Sequence, residues 1–183
     1  TIVLGDESGY SVGLAQQAKL AAMEAMWETE PAPANFNLIA GINQHEQKND
    51  WAVSIPYAMG VIGTRSLDTP IIGIHDIKAL NEKRIINGIQ AVTLLEQLRA
   101  NKDDAATVAA FEKVKKDLGF GLLLKKYTND VTQATPEMIK KATDDTIPPI
   151  FPMFWSFRTM VGLGFLMLAL YVVALWSTVK GNF

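Results

Sequence analysis

The 183-residue sequence contains no cysteine and only two histidines. Lack of cysteine excludes disulfides, thiolate metal sites and cysteine nucleophiles, and leaves the compartment open. His45 and His75 have no partners at ligand spacing, so a histidine-based metal centre is not expected. There is no basic stripe, and the formal net charge of −2 argues against a nucleic-acid partner. No internal repeat or low-complexity tract is present. Gly119-Phe120-Gly121 lacks the third glycine and the preceding strand of a dinucleotide fingerprint. No Ser/His/Asp set or nucleophile elbow stands out. No basic leader followed by a short apolar run precedes the polar part, so no signal peptide is expected. The opening TIVLGDESGY, from Thr1, has the look of a segment cut from a longer chain.

Charge is also missing from one long stretch, and that stretch carries information. Thr159 to Val179 reads TMVGLGFLMLALYVVALWSTV, without a charged residue. Roughly 20 such residues cross about 30 Å of hydrocarbon as a helix. Arg158 precedes the run, Lys180 follows it, and Tyr171 and Trp176 lie toward its far end, as a membrane span requires. Pro148, Pro149 and Pro152 stand just upstream, where proline can begin a helix. A buried core helix is the alternative, and a charge-free run this long is rare in soluble domains.

The expected fold class is mainly α: a helical polar part over 1–149 with a small β-hairpin, then one transmembrane helix and a short tail over 150–183. The polar part is long enough to bury its own core. Residues 1–12 read as chain entering from a previous element. Gly13 to Glu30 reads as one helix, ended by Pro31 and Pro33. Residues 35–41 and 50–57 are β-prone runs around a polar turn. Residues 58–74 are apolar, with several glycines and with Arg65 and Asp68 as isolated charges. His75 to Ala100 is amphipathic, with Ile85, Ile89, Val92, Leu95 and Leu98 on one face. Asp103 to Leu118 repeats the pattern, with Gly119 as the expected stop. Thr135-Pro136-Glu137 is a helix start: capping hydroxyl, proline at the first position, early acid.

Two places combine chemistry with helical spacing. On the helix expected over 13–30, Gln16, Leu20, Met23 and Trp27 form one stripe, and Ala18, Ala21, Ala22 and Ala25 the opposite face. Lys19 and Glu24 flank the apolar stripe, each roughly 70° to one side. A flat apolar molecule with an oxygen at each end would suit that strip; an amphipathic helix with a solvated Lys and Glu is the plainer reading. At the start of the span, Phe157, Met160, Gly164 and Met167 share a face, and Gly164 leaves room for a planar ring. A Met thioether can ligate haem iron. Arg158 sits in a first turn, where the helix dipole disfavours a cation, and so points to an anionic neighbour, a carboxylate side chain or a propionate. The plainer reading has Met160 packing and Arg158 snorkelling.

Six stretches, in order along nearly the whole chain, resemble subunit I of the cytochrome bd ubiquinol oxidases. They are GDESGY at 5–10, KLAAMEAMWETEPAPANF at 19–36, IPYAMGVIGTRSLDTPIIG at 55–73, LLEQL at 94–98, KKDLGFGLLLKKYT at 115–128 and FRTMVGLGF at 157–165. The resemblance implies an extracytoplasmic quinol loop, in its long form, followed by a transmembrane helix. It implies that Lys19 and Glu24 are the Lys and Glu of the quinol-oxidation site, and that Asp6 and Arg65 help line that site. It implies further that Met160 ligates the low-spin b haem and that Arg158 stands beside that haem. The remaining haem b ligands and haem d would lie outside this chain, so the segment alone is expected to be inactive. The implied partners are the remainder of subunit I, subunit II, ubiquinol and membrane lipid, in the bacterial inner membrane with 1–149 on the periplasmic side. The alternative from another class is a tail-anchored helical scaffold without a redox role.

Overall fold

The computed structural model describes residues 2–102 and 104–181, with the side chains of Ile2 and Asp6 outside the description. The chain divides into two compact units, Thr1–Ile71 with Pro149–Phe183, and Ile72–Pro148.

The first unit opens with two helices where one was expected. α1 spans Ile2–Ala15 and α2 spans Gln17–Glu24. Residues 2–12, expected as entering chain, are thus helical. Gln16 leaves helical geometry at φ −134°, yet its amide donates to Val12 O and its carbonyl accepts from Lys19 and Leu20, so the two helices meet at a kink. α2 stops at Glu24, six residues before the expected end, because Ala25 turns left-handed at φ 50°. Such a turn costs an alanine about 1–2 kcal/mol. It is offset by hydrogen bonds from outside: Asn37 Nδ2 donates to Glu24 O and Asn49 Nδ2 to Ala25 O, each at 2.9 Å. Bonds of this kind are worth about 0.5–1.5 kcal/mol each. The alanine face is buried as its small size allows, with Ala21, Ala22 and Ala25 at 0–1 % exposure.

The hairpin forms where the β-prone runs predict it. β1 (Phe36–Asn43) pairs antiparallel with β2 (Lys48–Ile55), with register shifts between Asn37 and Ile39 and between Gly41 and Ile42. A single π-helical turn follows at Gly60–Thr64. The last element of this unit, α7, runs Ile150–Val179, 30 residues or about 45 Å. Pro149 caps it and Pro152 lies in its first turn, where amides have no intrahelical acceptor. It is long and apolar enough to cross a membrane, and its most apolar stretch contains no buried residue. Phe154, near its start, is fully buried.

The second unit is helical. α3 (Ile74–Ala100) and α4 (Ala105–Val114) match the two amphipathic patterns; Asp103, the expected start of the second, lies outside the described residues. Gly119 does not stop the chain. A short 3₁₀ turn at Lys115–Asp117 leads into α5 (Leu118–Leu123), which runs through it. The glycines there serve close packing: a Cβ on Gly88 of α3 would stand 2.2 Å from the Gly121 amide nitrogen. α6 (Pro136–Asp144) starts as predicted, with the Thr135 hydroxyl accepting from the Met138 amide. Ile85, Val92, Leu124, Val131 and Ala142 form the core.

Candidate functional site

The end of α2 sets the site. The left-handed turn at Ala25 swings the next residues off the helix. Trp27 is buried against the hairpin, and its Nε1 donates to Asn49 Oδ1 at 3.0 Å. The stripe expected to include Trp27 therefore ends at Met23.

What remains of that stripe lines a cavity of about 440 Å³. α1 contributes Gly5, Ser8, Gly9 and Val12, and α2 contributes Lys19, Leu20, Met23 and Glu24. Phe36, Met59, Ile62 and Gly63 form a further wall, and Phe157 and Met160 of α7 complete it. The lining is mostly apolar, with a cation and a carboxylate among it. Lys19 is exposed, whereas Glu24 is 2 % exposed. Glu24 is thus not the solvated flank that its helical position suggests.

Glu24 is held by Arg158. The helix starts at Ile150, so Arg158 lies about two turns inside it and not in the expected first turn, and the helix dipole there calls for no anionic neighbour; the carboxylate is nonetheless present. Arg158 Nη2 lies 2.5 Å from Glu24 Oε2, and the two side chains are 8 % and 3 % exposed. Arg158 Nε also donates to Asn37 O at 2.9 Å and to Leu38 O at 3.2 Å. Its guanidinium carbon lies 4.4 Å from the centre of the Phe36 ring, 4.6 Å from Phe154 and 5.4 Å from Phe157. Arg158 is therefore anchored at the head of α7 and does not snorkel. Burial pushes the Glu24 carboxyl above its ordinary value, and it outweighs the opposing pull of the Arg158 hydrogen bond and charge. A carboxylate so raised is better matched to taking a proton near neutral pH.

The other expected residues are distributed as follows. Met160 lines the cavity with its side chain 61 % exposed, and a Cβ built at Gly164 meets nothing within 4 Å. Arg65 does not line the cavity. Its Nη2 donates to Glu7 Oε2 at 2.8 Å, and its guanidinium lies over the Tyr10 ring, tying the π-turn region to α1. The Asp6 side chain lies outside the described residues. Among the described residues no group of three or more His, Cys, Asp or Glu is placed to hold a metal ion. The sequence reading missed Asn37, Asn49 and Phe36. The available signal was an asparagine inside a β-prone run, a residue depleted in strands unless its amide is used.

The family model for cytochrome bd terminal oxidase subunit I matches residues 1–182. The chain belongs to that family. It is 39 % identical over 182 residues to the cytochrome bd-II ubiquinol oxidase subunit 1 of Escherichia coli (strain K12), covering 100 % of this chain and 35 % of that protein. It is 22 % identical over 186 residues to the cytochrome bd ubiquinol oxidase subunit 1 of Bacillus subtilis (strain 168), covering 96 % of this chain and 28 % of that one. The chain thus spans about a third of the length of these subunit I relatives. The resemblance read from the six stretches is borne out, and so is the mainly helical fold with one hairpin and one apolar C-terminal helix.

Proposed function

We propose that this segment, inside an intact cytochrome bd oxidase, carries the quinol-oxidation site and one axial ligand of the low-spin haem. One observation carries the reading: Lys19, Glu24 and Met160 line the same cavity, and Glu24 is bonded to Arg158 beside it. The apolar stripe of Leu20 and Met23 takes the face of the ring. Lys19 donates a hydrogen bond to one ring oxygen. Glu24 accepts the proton of the other hydroxyl as the quinol is oxidised, and its raised proton affinity suits that task. Arg158 keeps the carboxylate aimed and compensates its charge.

The residues present fit a haem at the α7 side of the cavity. Met160 offers an accessible thioether, the donor chemistry that haem iron takes. Met160 would be the residue of this segment that holds the haem iron, with the remaining ligands in the part of subunit I outside this segment. When bound, haem b supplies the electron acceptor, and haem d, elsewhere in the complex, supplies the oxygen-reducing centre. The partners are the rest of subunit I, subunit II and membrane lipid. The setting is the bacterial inner membrane, with residues 1–149 on the periplasmic side.

The test uses the intact oxidase with Met160→Leu. Leucine conserves volume, so packing should cost less than about 1.5 kcal/mol, while thioether ligation is lost. The expected result is loss or alteration of the low-spin b signal in the reduced-minus-oxidised spectrum. An unchanged signal would mean that Met160 only packs.

A further inference from the structure

β1 is irregular where it meets the site. Its pairing shifts between Asn37 and Ile39, the mark of a bulge. Successive carbonyls of a regular strand point to opposite sides. At this bulge, Asn37 O and Leu38 O both accept from Arg158 Nε. Bulges commonly re-aim groups in this way beside functional sites. The side chain of the same residue is also committed. Asn37 is 6 % exposed; its Nδ2 donates to Glu24 O at 2.9 Å, and its Oδ1 accepts from Ser54 Oγ at 2.7 Å. Asn37 therefore touches both members of the buried pair, Arg158 through its backbone and Glu24 through its amide. It also holds the carbonyl at which α2 ends, one residue before the left-handed Ala25.

We propose that Asn37 is a positioning residue for quinol oxidation: the bulged strand and its amide fix where the Glu24 carboxylate stands in the cavity. The inference rests on the quinol-site reading above. Asn37 does not line that cavity, so it acts through Glu24 and Arg158 and not on the quinol. Ser54 serves one step further out, by holding the Asn37 amide in its donating orientation. The hairpin is then the part of the loop that aims the proton acceptor, and its sequence matters to the reaction at a residue that never meets substrate.

The experiment compares Asn37→Leu, Ser54→Ala and Glu24→Gln in the intact oxidase. Oxygen uptake is measured with quinol and with an artificial donor that reduces the haem directly. Asn37→Leu fills similar space without a donor or acceptor. A misplacement of about 1 Å can cost 100-fold, so a fall of about tenfold in kcat with quinol is expected for a partial shift. KM should change less than kcat, and both artificial-donor turnover and the haem spectra should be kept. Ser54→Ala should show a smaller fall in the same direction. If Asn37→Leu fails to assemble, Ser54→Ala decides alone, because it removes the hydroxyl that orients the Asn37 amide while keeping the asparagine itself; unchanged quinol kinetics in Ser54→Ala would then overturn the proposal. Equal losses with both donors in the assembled variants would assign Asn37 to folding only and overturn the proposal. Normal quinol kinetics in Asn37→Leu with Glu24→Gln impaired would overturn it while leaving the quinol-site reading intact. Normal kinetics in Glu24→Gln would remove that reading and this inference with it.

Discussion

At the scale of single residues, Lys19 and Glu24 look alike in sequence and differ in the fold. Both flank one helical stripe, so periodicity gives them equal standing as solvated charges. Exposure separates them: Lys19 stays at the surface, and Glu24 is enclosed with Arg158. Their partnership spans 134 positions, and no local pattern encodes such a distance. Truncation therefore has unequal consequences. Lys19→Ala should change stability by no more than about 0.5 kcal/mol. Its expected effect is a rise of about tenfold in the apparent KM for quinol, the loss of one charge-assisted hydrogen bond of about 1.5 kcal/mol. Steady-state oxygen uptake against quinol concentration checks this. Glu24→Ala would strand Arg158 unpaired, a change that costs about 3–5 kcal/mol for a buried pair, so Glu24→Gln is the informative variant. The pH dependence follows from the direction of the shift. Glu24 accepts a proton only when ionised, and burial holds its pKa above the ordinary 4.5. Turnover at saturating quinol should therefore decline as pH falls through a value above 4.5, and that limb should be absent in Glu24→Gln.

At the scale of elements, the long and strongly periodic pieces were legible. α3, α6 and the hairpin form where pattern and capping residues predict them, since each signal is local. The errors lie where a distant contact decides. Pro31 and Pro33 mark an outer limit for α2, but two asparagine amides from the hairpin end it at Glu24. Gly119 reads as a stop by propensity, yet α5 runs through it, and the glycine pair Gly88 and Gly121 lets α3 and α5 touch backbone to backbone. Gly88→Ala is accordingly expected to destabilise the second unit. The new Cβ would meet main-chain atoms at 2.2–2.6 Å, which cannot rotate away as a side chain can. Overpacking of this kind costs about 1–3 kcal/mol. Thermal unfolding of the oxidase, or limited proteolysis within 72–148, should show the loss, and unchanged protection would contradict the close-packing account.

At the scale of the whole molecule, α7 does two jobs along one axis. Its first turns carry Phe154, Phe157, Arg158 and Met160 into the site. The remainder presents apolar side chains outward, from Leu163 at 55 % exposure to Val179 at 77 %. An exposed apolar helix of this length matches a lipid environment. A charge placed mid-span, as in Leu168→Arg, should cost about 2.5–3.5 kcal/mol of insertion. A reduced yield of membrane-integrated oxidase after alkaline washing would report it. Under the proposed function the segment supplies Met160 alone to the haem, so the isolated segment is expected to give no stoichiometric six-coordinate haem spectrum when mixed with haem in detergent. In the proposed reaction, quinol gives up its proton to Glu24 in the cavity between α1, α2 and α7. The most direct test is oxygen uptake by the intact Glu24→Gln oxidase with quinol and with a donor that bypasses the quinol site. Removing a general base typically costs about 100-fold or more, so a loss of that size is expected with quinol alone and near-normal turnover with the bypass donor. Undiminished quinol turnover in that variant would contradict the proposed reaction.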